Sequence, residues 1–263
     1  MNILFIGDIV SKVGRQMCEK YIPIIKAKYP VDVVIANGEN VAHGKGINQK
    51  TYNQLVSYGI DIITMGNHFA SKTETNSFYR NATKMVRPLN IHPSAAGIGS
   101  RVFDVNGQKL RVTNLLGRAF INELNPSNPF DALDKLLETS DEKFHFVDFH
   151  AEATGEKIAF AWNYDGRISC VVGTHTHVQT ADERVLPKGT GLLSDVGMTG
   201  ATDGIIGARR EPMIYRVRTG LPSKYEVAEG PGMINACYIV LNDETGKTES
   251  IKRIYISDYK QEF

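Results

Sequence analysis

The sequence predicts an α/β fold, and three observations carry that reading. Short apolar runs, rich in β-branched and aromatic residues and roughly four to eight residues long, recur along the whole chain in the manner of strands. Helical patterns lie between them, most regularly in the first half. The 263 residues, 42% hydrophobic and 22% charged, form a globular composition with enough length to bury a core without staples. No repeat, low-complexity tract or linker interrupts the chain, so residues 1–263 are expected to form a single domain.

Residues 3–6 read as the first strand. Residues 15–28 place Met17, Tyr21, Ile24 and Ile25 on one helical face, with a kink or boundary expected at Pro23. A strand at 33–36 precedes a helix that Asn48 can cap, carrying Tyr52, Leu55 and Val56, with Gly59 just past its end. Strands at 60–65 and 110–116 come next. Asn128-Pro129 supplies an N-cap and first helical position ahead of Phe130, Leu133, Leu136 and Leu137. The run at 144–149 is a strand whose His145, between Phe144 and Phe146, is expected on its surface. Residues 156–162 carry a weaker helical pattern. Strands at 168–172 and 234–241 flank a Gly-rich loop at 197–207, and 251–256 reads as a sheet edge.

Charge and cysteine usage narrow the function classes. Thirty Lys and Arg against 29 Asp and Glu leave a net charge of +1, which argues against stable nucleic-acid binding over a broad basic face. The three cysteines form no C-x-x-C pair, so neither a disulfide framework nor a thiolate metal site is expected. With no signal-type apolar segment and no run near the ~20 residues of a membrane span, a cytoplasmic protein without membrane association is expected.

The residues capable of chemistry cluster at the ends of the apolar runs. Gly7 leads to Asp8, Gly38 to Glu39-Asn40, and Gly66 to Asn67-His68. The run ending at Phe149 leads to His150, and Gly173-Thr174 leads to His175-Thr176-His177. In α/β sheets, sites form at the carboxyl ends of strands, so side-by-side strands would bring these groups together. The glycines are expected to allow sharp turns or positive φ. Carboxylates, imidazoles and amide oxygens without thiolate suit Fe, Mn, Zn or Mg. Two such ions can clamp a phosphoryl displacement.

This ordered set resembles the calcineurin-like metallophosphoesterase superfamily and is most similar to its YmdB-like bacterial branch. The resemblance also covers residues 37–46, 147–154 and 173–182. It implies a sandwich of two mixed β-sheets flanked by helices, and a phosphodiesterase using two metal ions, iron first, with manganese, magnesium or zinc as alternatives. The superfamily opens on Asp-x-His, whereas Asp8 is followed by Ile9 and Val10; Asn40 is therefore expected to replace the absent ligand. By resemblance, Asp8, Glu39, Asn40 and His177 hold one metal, and Glu39, Asn67, His150 and His175 the other. A bridging hydroxide would attack phosphorus, and His68 would protonate the leaving oxygen. The branch further implies 2′,3′-cyclic nucleotides as the small phosphate-ester substrate, and a homo-oligomer. Two competing readings are a phosphomonoesterase or nuclease on the same site, and a regulatory protein with a weakly active metal site. Arg118, Arg209, Arg210 and the loop at 197–207 are read first as solvated surface, although they could meet a phosphate.

Overall fold

The computed structural model describes residues 1–121 and 123–259. In chain order the elements are β1 (Asn2–Ile6), β2 (Asp8–Ile9), α1 (Ser11–Lys28), β3 (Val33–Asn37), α2 (Gln49–Ser57), β4 (Ile62–Thr64), α3 (Thr75–Tyr79) and β5 (Met85–Val86). Next come β6 (Ser100–Val105), β7 (Gln108–Leu116), α4 (Pro129–Leu137), β8 (Phe144–His150), α5 (Thr154–Asn163) and β9 (Cys170–Thr174). The last are β10 (Arg184–Val185), β11 (Gly191–Leu193), β12 (Met198–Ala201), α6 (Arg210–Thr219), β13 (Gly232–Leu241) and β14 (Thr248–Ser257).

These strands make two mixed sheets. The first runs β2-β12-β13-β1-β3-β4-β5, with β14 on the far side of β13. Within it β1, β3, β4 and β5 are parallel, and β13 is antiparallel to β1. The second runs β10-β11-β9-β8-β7-β6; its four inner strands are parallel and both edges antiparallel. Face to face the sheets bury Ile3, Phe5 and Ile35 against Val112, Phe146 and Val172, with the Phe5 and Phe146 rings 5.2 Å apart. The alternate residues Leu4, Ile6 and Val34 meet Met17, Cys18, Ile22 and Ile25 of α1 on the first sheet's outer face. Val147, Phe149 and Val171 likewise meet Leu133 of α4, Phe160 of α5 and Tyr164 just past its end. Both faces of each sheet are covered, which explains why the strands read as continuous apolar runs rather than alternating ones.

The expected caps are present. The Asn48 side chain accepts from the Thr51 backbone N–H in a capping box, and Asn128 accepts from the N–H of Phe130 with Pro129 at the helix start. Four expectations need correction. Helix α1 begins at Ser11 and runs through Pro23 without ending there, because Ile22 and Ile25 stay anchored on the sheet. Its inward face is Gly14, Met17, Cys18, Ile22 and Ile25, while Ile24 is exposed. The run at 60–65 is strand only over β4. His145 is buried, hydrogen-bonded through Nε2 to the Thr113 hydroxyl at 2.8 Å, since β8 lies inside a sheet covered on both sides. Among the described residues no helix is long and apolar enough to cross a membrane.

Candidate metal centre

The carboxyl ends of β1, β3 and β4 from one sheet meet those of β8 and β9 from the other. There the structure assembles Asp8, Glu39, Asn40, Asn67, His68, His150, His175 and His177. Glu39, His150 and His175 present ligand atoms that all lie within 4.8 Å of one another. The contacts centre on His150 Nε2. It lies 2.9 Å from Asn67 Oδ1, 3.0 Å from His175 Nδ1 and 3.3 Å from Glu39 Oε2.

The surrounding network fixes which nitrogens face this point. The Thr174 hydroxyl donates its one proton to Asp148 Oδ1 at 2.7 Å, so it accepts from His150 Nδ1–H at 2.9 Å. That leaves His150 Nε2 as the lone-pair nitrogen. Asp148 is held in turn by Asn37 Nδ2 and by the Thr64 hydroxyl. His175 Nε2 faces Glu152 Oε2 at 3.1 Å, which turns its Nδ1 lone pair towards His150. With His150 neutral, two imidazole lone pairs, a carboxylate and an amide oxygen converge, a donor set that fits a metal ion.

Without an ion, the field of the cluster favours a proton at the same point, one that a bound metal would displace. Burial alone would depress His150, yet Glu39, Asp8 and Asp148 raise its pKa to about 9. Burial would raise Glu39, but His150 and His68 hold it well below the usual carboxylate range. Asp8, wholly buried, is pushed up by desolvation; its Oδ2 accepts the His175 N–H, and its Oδ1 has no hydrogen-bond partner. This is a strongly negative, buried field that attracts a cation.

Beside the cluster, His177 Nδ1 donates to the Ile206 carbonyl at 2.9 Å, leaving Nε2 directed inward. The Gly-rich loop thereby fixes a histidine, and its Ile206 also lines the cavity over the cluster. Asn40 Nδ2 lies 3.1 Å from both Glu39 Oε1 and His177 Nε2, and its Oδ1 lies 3.0 Å from His68 Nδ1. In this rotamer the amide oxygen serves His68, and ligation through it requires the amide to turn. Arg209 and Arg210 are tied to Glu226, Glu211 and Asp203, away from the cluster.

Turns do start at Gly38 and Gly66, whose carbonyls accept from the N–H groups of Val41 and Phe69, but the positive φ also expected of the strand-end glycines is absent. Gly66 and Gly173 have no positive φ; they provide space instead. A Cβ on Gly66 would stand 2.1 Å from Glu39 Oε2 and 2.5 Å from His150 Nε2, and one on Gly173 would stand 1.7 Å from the Ser194 carbonyl oxygen. Positive φ falls instead on His175 (105°) and His177 (66°). Such backbone persists only where its surroundings over-determine it. Here the buried Lys157–Asp195 pair, 2.7 Å apart, clamps the loop: Lys157 Nζ donates to the Thr174 carbonyl, and Asp195 Oδ2 accepts the Thr176 N–H. Sequence reasoning did not single out Asn37, Asp148, Glu152, Lys157, Thr174 or Asp195. Asp148, Glu152 and Thr174 sat inside the motif blocks; Lys157 and Asp195 carried no local signal.

Comparisons with known proteins agree with this geometry. A family model described as YmdB-like protein matches residues 4–254. The chain is 48% identical over 260 residues to the 2′,3′-cyclic-nucleotide 2′-phosphodiesterase of Bacillus subtilis (strain 168), with 98% of each chain covered. Among solved structures it is similar to a novel phosphatase of Mycoplasma pneumoniae, with TM-score 0.94, 38% identity, and 98% of this chain and 93% of that one covered. It is also similar to a hypothetical protein from Thermus thermophilus, with TM-score 0.91, 40% identity, and coverage of 98% and 99%.

Proposed function

The chain belongs to the YmdB-like family of the calcineurin-like metallophosphoesterase superfamily, and from that premise we propose that it hydrolyses nucleoside 2′,3′-cyclic phosphates at a two-metal centre. It is a metal-dependent phosphohydrolase, and the observation that carries the reading is the convergence of Glu39, Asn67, His150 and His175 on one point. Those four residues would hold one ion. Asp8, Glu39, Asn40 and His177 would hold a second, with Glu39 shared. Iron is the first expectation for both, with manganese, magnesium and zinc compatible with the same oxygen and nitrogen donors. When bound, the ions supply positive charge to the phosphoryl oxygens and acidify a water.

The protein's own groups do the rest. Asp148 and Thr174 orient His150, Glu152 orients His175, and the Ile206 carbonyl orients His177. His68 lines the adjoining cavity, and once the Asn40 amide turns to the ion, His68 Nδ1 keeps Glu39 Oε1, 3.2 Å away, as its partner. Nε2 is then the nitrogen that delivers a proton. In the hydrolysis, the oxygen of water bonds to phosphorus and releases one proton to solvent, one ring P–O bond breaks, and the departing 2′ or 3′ oxygen takes the proton from His68 Nε2.

The test is elemental analysis of protein purified without added metal, paired with adenosine 2′,3′-cyclic phosphate and a phosphomonoester panel. His68→Ala should retain the metals and lose ~10²–10⁴ in kcat. Less than about one metal per chain, with no turnover after manganese or iron is added, would overturn the reading.

A further inference from the structure

Resting on the cyclic-nucleotide reading, we infer that Arg216 and Lys45 bind a second phosphate of the substrate, so that this site takes a 2′,3′-cyclic nucleotide already phosphorylated at its 5′ oxygen. A cavity of about 360 Å³ opens directly over Glu39, Asn40, His68, His175 and His177. Lys45, Met213, Arg216 and Tyr225 line the same cavity. At the small end of ligand-pocket volumes, ~300–1,000 Å³, it admits about one nucleotide unit.

The charge distribution is informative. Each carboxylate lining the cavity is already engaged, Glu39 with His68 and His150, and Glu152 with His175. Arg209 and Arg210, at the start of α6, are ion-paired. Arg216 and Lys45 have no carboxylate partner among the described residues, and both line the cavity. A cyclic phosphodiester carries a single negative charge, which the metal end of the cavity satisfies. Two uncommitted cations lining the same cavity therefore match further negative charge on the same molecule, and an arginine fork with a lysine is the usual chemistry for a phosphate. The Tyr225 ring is seated against the Gly44 backbone, where a Cβ would stand 2.9 Å from its hydroxyl. With Met213 it offers an apolar, π-faced surface suited to a base.

The second phosphate could belong to a free mononucleotide or join the nucleotide to an RNA chain, and the experiment separates the two. Manganese-loaded wild type, Arg216→Gln, Lys45→Gln and the double variant are compared on three substrates: adenosine 2′,3′-cyclic phosphate, its 5′-phosphorylated form, and the dinucleotide ApA ending in a 2′,3′-cyclic phosphate. The wild type should favour at least one two-phosphate substrate by about tenfold or more in kcat/KM, chiefly through KM. Preference for the first of these marks a free nucleotide, and preference for ApA an RNA end. The double variant should lose at least about tenfold more on the favoured substrate than on the plain cyclic nucleotide, with Arg216→Lys recovering part of the loss. Equal wild-type kcat/KM on all three, or a preference that survives the double substitution, overturns the inference alone. No hydrolysis of any cyclic substrate by protein that does cleave a phosphomonoester overturns the cyclic-nucleotide reading and this inference with it.

Discussion

At His150, the proton on one ring nitrogen decides what the other can do. Thr174 can accept from Nδ1–H only because its own proton goes to Asp148, and the Asp148 carboxylate is kept in place by Asn37 and Thr64. Replacing Thr174 by Val preserves shape but removes both hydrogen bonds, freeing the imidazole to rotate or change tautomer. Metal affinity should fall by ~10–100-fold, the usual cost of losing an outer partner of a ligand, and Thr174→Ser should restore most of it. Metal titration followed by calorimetry measures this directly; wild-type affinity in Thr174→Val would show that Thr174 does not orient the ligand. The identity of His150 as a site residue is plain in the sequence, because it ends a strand-like run. Its tautomer is not, because Thr174 and Asp148 lie on separate strands paired only in the folded sheet.

Among the elements, the parallel strands set where the donors arrive and the glycines set how closely they approach. Gly66→Ala should force Glu39 or His150 aside and sharply reduce metal binding with a much smaller loss of fold stability, since the collision is with side-chain ligand atoms. Gly155→Ala on α5 meets nothing within 4 Å and serves as the control that should bind metal normally. Metal content and thermal midpoint distinguish the two; normal metal content in Gly66→Ala would contradict the close-approach account. Helix boundaries obey the same division. The caps of α2 and α4 are local chemistry and could be read from Asn48 and Asn128-Pro129. The passage of α1 through Pro23 depends on Ile22 and Ile25 gripping the sheet, a non-local gain that outweighs a lost hydrogen bond.

For the molecule as a whole, burial of titratable groups makes stability depend on pH. His145 is driven down to about 3, first by burial and then by Arg111, with Glu142 opposing. Its unfolded pKa is ~6.5, so between these values the unfolded chain holds a proton that the folded one refuses. Stability contributed at this position is complete above about pH 6.5 and falls as pH drops towards 3, with a limiting slope of about 1.4 kcal/mol per unit. His145→Gln can keep a hydrogen bond to Thr113 without titrating. The wild-type-minus-variant difference in urea unfolding should therefore grow against the wild type from about pH 7 to about pH 4.5. A difference independent of pH would show that His145 is not held neutral.

Local pattern was enough for the α/β class, most strand positions and two helix caps, because apolar runs and capping residues are written within a few positions of one another; the eight residues of the centre were legible only from the order of five strand-end blocks along the chain and the family they resemble. Long-range packing was needed to reveal that His145 is buried and that Gly66 and Gly173 provide room instead of positive φ. It also placed the strain on His175 and His177, and set Lys157 and Asp195 to hold their loop. Each of these depends on what another sheet, helix or loop sets against the residue, and contacts between groups tens to more than a hundred positions apart leave no periodic trace in the chain.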